Sequence, residues 1–335
     1  MNRPVLAPTV PRRHRTSRAL LWLLLFSIIA GFLALQYRRP LLDWQSLRNY
    51  TPPSAVTALA TADAMTPVAR HAFYVNHPSI NNKAVFSVNC NFGREQSIVL
   101  GCYHGNQQGI YILDVSDPRL EGVEQVTAAH EMLHAAYDRL NDKERTHIDT
   151  LLQNFYRNDV SDPRVRATID QYRKTEPNDV VNEMHSIFGT EIVQLTPELE
   201  KYYGRYFTDR AKVVNFASAY SQEFTSRQQQ VATYDAQLKQ LKATIETNTT
   251  ELSKEQANLQ TMKGRLDMER GGDAAQYNRD VDSYNAQVNA YNAKIVATRS
   301  IITQYNELVD TRNTIALEEQ QLARAISGES VPSSQ

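Results

Sequence analysis

Apolar and polar positions follow different rhythms along this chain, and each rhythm predicts a different structure. From Ala19 to Leu35 the run ALLWLLLFSIIAGFLAL carries no charge. Its length sits at the short end of the ~17–25 residues that a membrane-spanning helix needs. Further on, AVFSVN, SIVLGCY and GIYILDV are short β-like runs, punctuated by Gly101, Gly105 and Gly109. Helical spacing then takes over. It predicts a helix over Val123–Leu140, followed by helices in NDKERTHIDTLLQNFY, SDPRVRATIDQYRKT, PNDVVNEMHSIFGTEI and TPELEKYYGRYFTDR. Asn141 or Asp142 caps the second of these, Gly189 ends the fourth, and Thr196-Pro197 starts the fifth. Strands followed by helices make an α+β domain.

The last third changes to a heptad rhythm. Val213, Ala217, Tyr220 and Phe224 begin a 4,3 spacing that runs on through Leu238, Leu252 and Leu259 to Leu266. It restarts at Tyr277, where YNRDVDS, YNAQVNA and YNAKIVA are nearly literal repeats, and continues to Val309. No proline interrupts the chain between Pro197 and Pro332, so continuous helices are allowed. Gly271-Gly272 separates the two tracts and can supply a reversal. An antiparallel coiled-coil hairpin is therefore expected, with Leu266 beside Tyr277, Leu259 beside Tyr284, Leu252 beside Tyr291 and Ile245 beside Thr298. Its first arm would be roughly 80 Å long. A parallel dimer, in which the glycines are only a break, is the competing arrangement.

These boundaries divide the chain into a basic tail (1–18), a transmembrane signal anchor (19–36), a linker (37–64) containing Pro52-Pro53, a folded domain (65–212), the hairpin (213–326) and a disordered tail (327–335). Arg3, Arg12, Arg13, Arg15 and Arg18 precede the apolar run, and only Arg38 and Arg39 follow it closely. That asymmetry places the N-terminus in the cytoplasm and the rest of the chain outside it. A cleaved signal peptide is the alternative, but its apolar core would be shorter, at ~7–15 residues, and no clear small-x-small site precedes Gln36. An exported compartment permits a disulfide between Cys90 and Cys102, expected to join neighbouring strands through a turn at Asn91-Phe92-Gly93. The net charge of −1 gives no sign of a nucleic-acid partner.

The chemistry concentrates in HEMLH. His130 and His134 stand one turn apart on one helical face, so both imidazoles can reach one Zn2+ ion. Glu131 lies beside that ion, where a carboxylate can take a proton from an activated water. Zinc requires a third protein ligand. Downstream, VVNEMHSIFGT resembles the ligand-bearing helix of the gluzincins, the thermolysin-like zinc peptidases, with Asn-Glu followed by Ser and Ile-Phe-Gly-Thr. The resemblance covers only these two motif helices. It implies a zincin-like fold, peptide hydrolysis, Glu183 as the third ligand and Glu131 as the general base. The second motif is one residue shorter than the family's, and Ile187 stands where the family has an aspartate. The acid that orients a ligand histidine must then come from elsewhere, and Asp138, one turn after His134, is the candidate; it could also bind the ion directly.

His185 is the rival ligand, although it lies about 200° round the helix from Glu183; Glu191 is a weaker one. Tyr137, His147, Tyr172, His185, Tyr202 and Tyr203 are all candidate donors to the developing oxyanion. GIYILDV is either an edge for an extended peptide or protein substrate or an ordinary core strand. The functional expectation is a membrane-anchored, extracytoplasmic zinc metallopeptidase. The alternatives are a coiled-coil envelope scaffold with a degenerate zincin domain, and zinc hydrolysis of a non-peptide envelope substrate. The hairpin suits a protein partner under each reading.

Overall fold

A computed structural model describes residues 22–29, 31–32, 37–90 and 100–326. The basic tail, part of the apolar run, the Asn91–Gly93 turn, the start of SIVLGCY and the final tail lie outside the described residues. The fold is mostly helical, with a three-stranded sheet and two long C-terminal helices. Among the described residues no helix is long and apolar enough to cross a membrane.

The folded body begins earlier than the composition suggests. The stretch expected as a linker forms helices α1 (Arg38–Leu47) and α2 (Ser54–Ala62). Val56, Leu59 and Ala60 recur at i, i+3 and i+4 and bury that face of α2 in the core. Helix α3 (Pro67–Tyr74) follows, with Thr66 as N-cap and Pro67 at the first helical position, as its sequence predicts. The run AVFSVN is not a strand. Asn82 accepts a hydrogen bond from the Val85 amide and starts helix α4 (Lys83–Asn89) instead. Only Phe86 is buried there, while Val85 and Val88 face solvent. The β-branched residues suggested a strand; the cap decided for a helix.

The sheet is built from β1 (Ser79–Asn81), β2 (Gly101–His104) and β3 (Gly109–Leu113), in the order β1-β3-β2. β3 pairs parallel with β1 and antiparallel with β2. Of the two readings of GIYILDV, an edge or a core strand, the structure has the core strand, and β2 is an edge among the described residues. Cys90 and Cys102 are disulfide-bonded with Cα atoms 5.8 Å apart. The bridge ties the end of α4 to β2 rather than strand to strand, and it packs with Phe86 and Leu113.

Helices α5 (Val123–Tyr137), α6 (Asp142–Asn158), α7 (Pro163–Thr175), α8 (Val180–Glu191) and α9 (Pro197–Tyr203) match the predicted series. Asn141 and Glu144 form a reciprocal capping box at the start of α6. The core that unites them contains Phe73, Ile110, Ile112, Met132, Leu133, Leu152, Phe188 and Tyr203, all fully buried. Gly189 does not end α8, which continues to Glu191. A Cβ at Gly189 would lie 2.4 Å from Leu133 Cδ1 and 2.7 Å from Tyr203 Cε1, so the glycine lets α8 press against α5 and α9.

Helices α10 (Arg210–Met268) and α11 (Ala274–Ile326) run antiparallel, joined through Gly271 with φ +101°. Arg227 pairs with Glu318, Asp235 with Arg312, Glu251 with Lys294, and Asn258 donates to Gln287. That register agrees within a few residues with the one expected from the heptads. At the base, Leu322 and Ile326 pack on Leu120 and Val123, just before the HEMLH segment. Arg210 anchors the start of α10 by donating to the Ile192 and Val193 carbonyls, 2.6 and 3.1 Å away, and by pairing with Glu200.

One buried group opposes folding. Asp63 is fully buried, and neither carboxylate oxygen has a hydrogen-bond partner. Burial pushes its pKa well above the ordinary 3.8. Above pH ~4 the unfolded chain loses this proton while the folded chain keeps it, so stability falls as pH rises toward the folded pKa. Asp63→Asn removes the charge. It is expected to stabilise the protein by about 1–3 kcal/mol at neutral pH, with the gain shrinking toward pH ~4. Denaturant melts at several pH values measure this; a pH-independent difference would contradict it.

Candidate metal centre

Helix α5 lies between β2 and α8. Its small buried residues Ala128, Ala129, Ala135 and Ala136 let both neighbours approach. His130 and His134 point from α5 toward Glu183 on α8. His130 Nε2 is 3.6 Å from Glu183 Oε2, and His134 Nε2 is 3.5 Å from Glu183 Oε1. One ligand atom from each of the three residues falls within a 4.8 Å cluster. His134 and Glu183 are buried and His130 is partly buried.

The donor set fits a divalent transition-metal ion. Two imidazoles and a carboxylate are ligands of the kind such ions take. Glu183 Oε2 is buried with no hydrogen-bond partner, a deficit a cation would satisfy. Burial pushes the Glu183 carboxyl up, but His134 and His130 outweigh it, and Tyr172 adds a hydrogen bond. The net result is a pKa below the ordinary value, so the carboxylate is ionised and able to serve as a ligand. Glu131 behaves differently. Burial pushes it up to about 7; His134 and the Tyr103 backbone amide pull it down, and the Glu183 charge adds to the rise. Two carboxylates side by side are thereby held at different proton affinities.

The other candidates separate cleanly. Asp138 caps the end of α5 and accepts a hydrogen bond from the Tyr103 hydroxyl at 3.0 Å. It lines the cleft beside the triad; its backbone amide donates to the His134 carbonyl at 3.1 Å, and among the described residues no hydrogen bond joins its carboxylate to the His134 ring. His185 is fully buried behind the triad, where its Nε2 is 2.8 Å from the Tyr202 hydroxyl. Tyr137, Tyr202, Tyr203 and Tyr206 surround its ring, and burial holds its pKa well below 6.5. It therefore stands apart from the His130–His134–Glu183 cluster as a neutral core histidine. Glu191 pairs with Arg164 at 2.5 Å. Of the expected oxyanion donors, only Tyr172 lines the cleft. Tyr137 instead donates to Asp149, Tyr202 and Tyr203 are buried in the core, and His147 is exposed on α6.

The cleft has a volume of about 400 Å³. β2 forms one wall, the α7–α8 region with Tyr172, Glu176 and Asp179 forms the other, and Tyr220 reaches in from the long arm. Gly101 is the feature that sequence reasoning treated only as punctuation. A Cβ there would lie 2.5 Å from Thr127 Cγ2 and 2.7 Å from Glu131 Oε1. The edge strand can cover Glu131 this closely only because it carries no side chain. Its one prior signal was a glycine inside a β-like run. Gly101→Ala is expected to cost about 1–3 kcal/mol of stability through overpacking and to displace the Glu131 carboxylate. Denaturant melts and metal-dependent turnover read the two effects; an unchanged variant would contradict the close approach.

No protein-family model matches this chain, and neither a curated protein nor a solved structure matches it.

Proposed function

We propose that this chain is a zinc-dependent peptidase of zincin type, anchored by residues 19–36 with its catalytic body and coiled-coil hairpin outside the cytoplasm. The observation that carries the reading is the convergence of His130, His134 and Glu183, from motifs far apart in sequence, around one point beside Glu131. Those three residues would hold the zinc, which would supply Lewis-acid polarisation of a water and of the scissile carbonyl. Glu131 takes the proton from the attacking water and later passes it to the leaving amine. A carboxyl poised near neutrality suits both transfers. Gly101 and the β2 backbone close the site over Glu131 and exclude bulk water there. Tyr172 is placed to hold Glu183 through its hydroxyl. An extended peptide can add to β2, an edge strand among the described residues that lines the cleft, using main-chain hydrogen bonds.

Purified full-length protein should contain zinc by elemental analysis and degrade an unfolded protein. Chelation should abolish turnover, and added zinc should restore it. Full turnover by metal-free protein would overturn the reading. The scaffold alternative, with the long arm as the working part, is opposed by the intact base and ligand set. Turnover separates the two.

The cleft wall is acidic. Asp138, Glu176 and Asp179 line it with the catalytic carboxylates, and no Lys or Arg does so among the described residues. A peptide with basic residues flanking the scissile bond is expected to have a kcat/KM at least about tenfold above its acidic counterpart at low ionic strength. The preference should fade with added salt. Equal rates at low salt would remove this electrostatic contribution.

A further inference from the structure

Among the described residues, helix α1 presents an unpartnered apolar stripe to the exterior. Tyr37, Leu41, Trp44 and Arg48 fall on one face at i, i+4, i+7 and i+11. Tyr37, Leu41 and Trp44 are 52%, 57% and 62% exposed. The Arg48 guanidinium lies 5.5 Å from the centre of the Trp44 ring. The opposite face is fastened to the body. Asp43 pairs with His71 at 2.9 Å and with Arg139, and it accepts from Gln107. Ser46 donates to the Val75 carbonyl at 2.9 Å. The stripe is therefore displayed by a docked helix and not by a loose one.

We infer that α1 lies in the headgroup region of a lipid bilayer, with Tyr37, Leu41 and Trp44 immersed at the boundary and Arg48 reaching toward lipid phosphates. The occupant is set by where the chain comes from. The charge-free run ends at Leu35, and only Gln36 separates it from Tyr37. A span leaving the bilayer there delivers α1 to the interface, where tyrosine and tryptophan rings are favoured and arginine can snorkel. An apolar face backed by polar contacts is the pattern of a helix lying in the membrane plane. The inference rests on reading residues 19–36 as a membrane anchor.

The arrangement has a consequence for the site. Arg39 donates to the Asp138 carbonyl at 2.7 Å, and Arg139 pairs with Asp43. Both contacts hold the C-terminal end of α5, the helix that carries His130 and His134. A bilayer-seated α1 thus holds the metal-ligand helix, and the cleft beside it, at a set height over the membrane. The substrates so favoured are polypeptide segments lying at or emerging from the bilayer surface.

The chain has only two tryptophans, Trp22 and Trp44, which makes the test direct. Full-length Trp22→Phe protein reports Trp44 alone, and Trp44→Phe protein reports Trp22. Both are reconstituted in phosphatidylcholine–phosphatidylglycerol vesicles carrying a spin-label quencher at the headgroup or at the chain end. Trp44 is expected to be quenched severalfold more by the headgroup label than by the chain-end label. Leu41→Glu in the same background should remove most of that quenching. Quenching of Trp22 with none of Trp44 would overturn the seat while leaving the anchor intact. Quenching of neither would overturn the anchor, and the seat with it. Trp44 shielding that rises with protein concentration and ignores the lipid label would assign the stripe to a second copy of the chain, which also overturns the proposal.

Discussion

Glu131→Gln is expected to bind zinc at wild-type stoichiometry and to lose peptide hydrolysis by about 10²–10⁴-fold, the usual contribution of a general base. The amide has the shape of the carboxylate and fits the space under Gly101, where the backbone comes too close for any larger change. It leaves His130, His134 and Glu183 untouched. What it cannot do is accept a proton. Stability should be retained or raised, because burial already disfavours an ionised group at this position. Elemental analysis and kcat on an unfolded protein, measured on one preparation, check both halves. Full activity with full zinc would remove Glu131 from the mechanism. Loss of zinc together with activity would make it a structural support of the ligand cluster instead.

The parts of this molecule that were legible in the sequence are those with strong local periodicity. The His130–His134 spacing, the helix series from Val123 and the heptads from Val213 all depend on side chains a turn or two apart, and the structure bears out those helices. Glu183 was legible for another reason: NEMHSIFGT resembles a ligand motif, and the structure places its carboxylate against both histidines. What failed was decided by tertiary contact. AVFSVN has the composition of a strand, but Asn82 caps it as a helix and the disulfide pins its end. The stretch before Met65 looked like a linker because its alanines and threonines hide a short apolar face, Val56-Leu59-Ala60, that acquires meaning only when packed. GIYILDV and SIVLGCY both read as strands. Which of them is the edge depends on β1, a short strand too polar to signal itself. Asp138 sits at the spacing that would orient His134, yet the Tyr103 hydroxyl, from a distant strand, takes its carboxylate.

The choice between Glu183 and His185 yields the second large effect, because the two substitutions should move metal affinity and stability in opposite ways. Glu183→Ala removes the only carboxylate in the ligand cluster. Zinc affinity should fall by more than about 100-fold, beyond the 10–100-fold typical of residues that merely orient a ligand. The metal-free protein should lose less stability than with His185→Ala, since the histidines and Tyr172 lose the carboxylate they hold ionised, but no cavity opens in the tyrosine core and a buried oxygen without a hydrogen bond is removed. His185→Ala leaves the three ligands in place and should retain zinc. It opens a cavity in a fully buried tyrosine cluster and strips the Tyr202 hydroxyl of its imidazole partner. A loss of about 2–4 kcal/mol is expected from those two changes. Competition with a chromophoric chelator measures the affinities, and denaturant melts of metal-free protein measure the stabilities. If His185→Ala loses zinc while remaining folded and Glu183→Ala retains it, the third ligand is His185, and α8 must turn its other face to the cleft when metal binds.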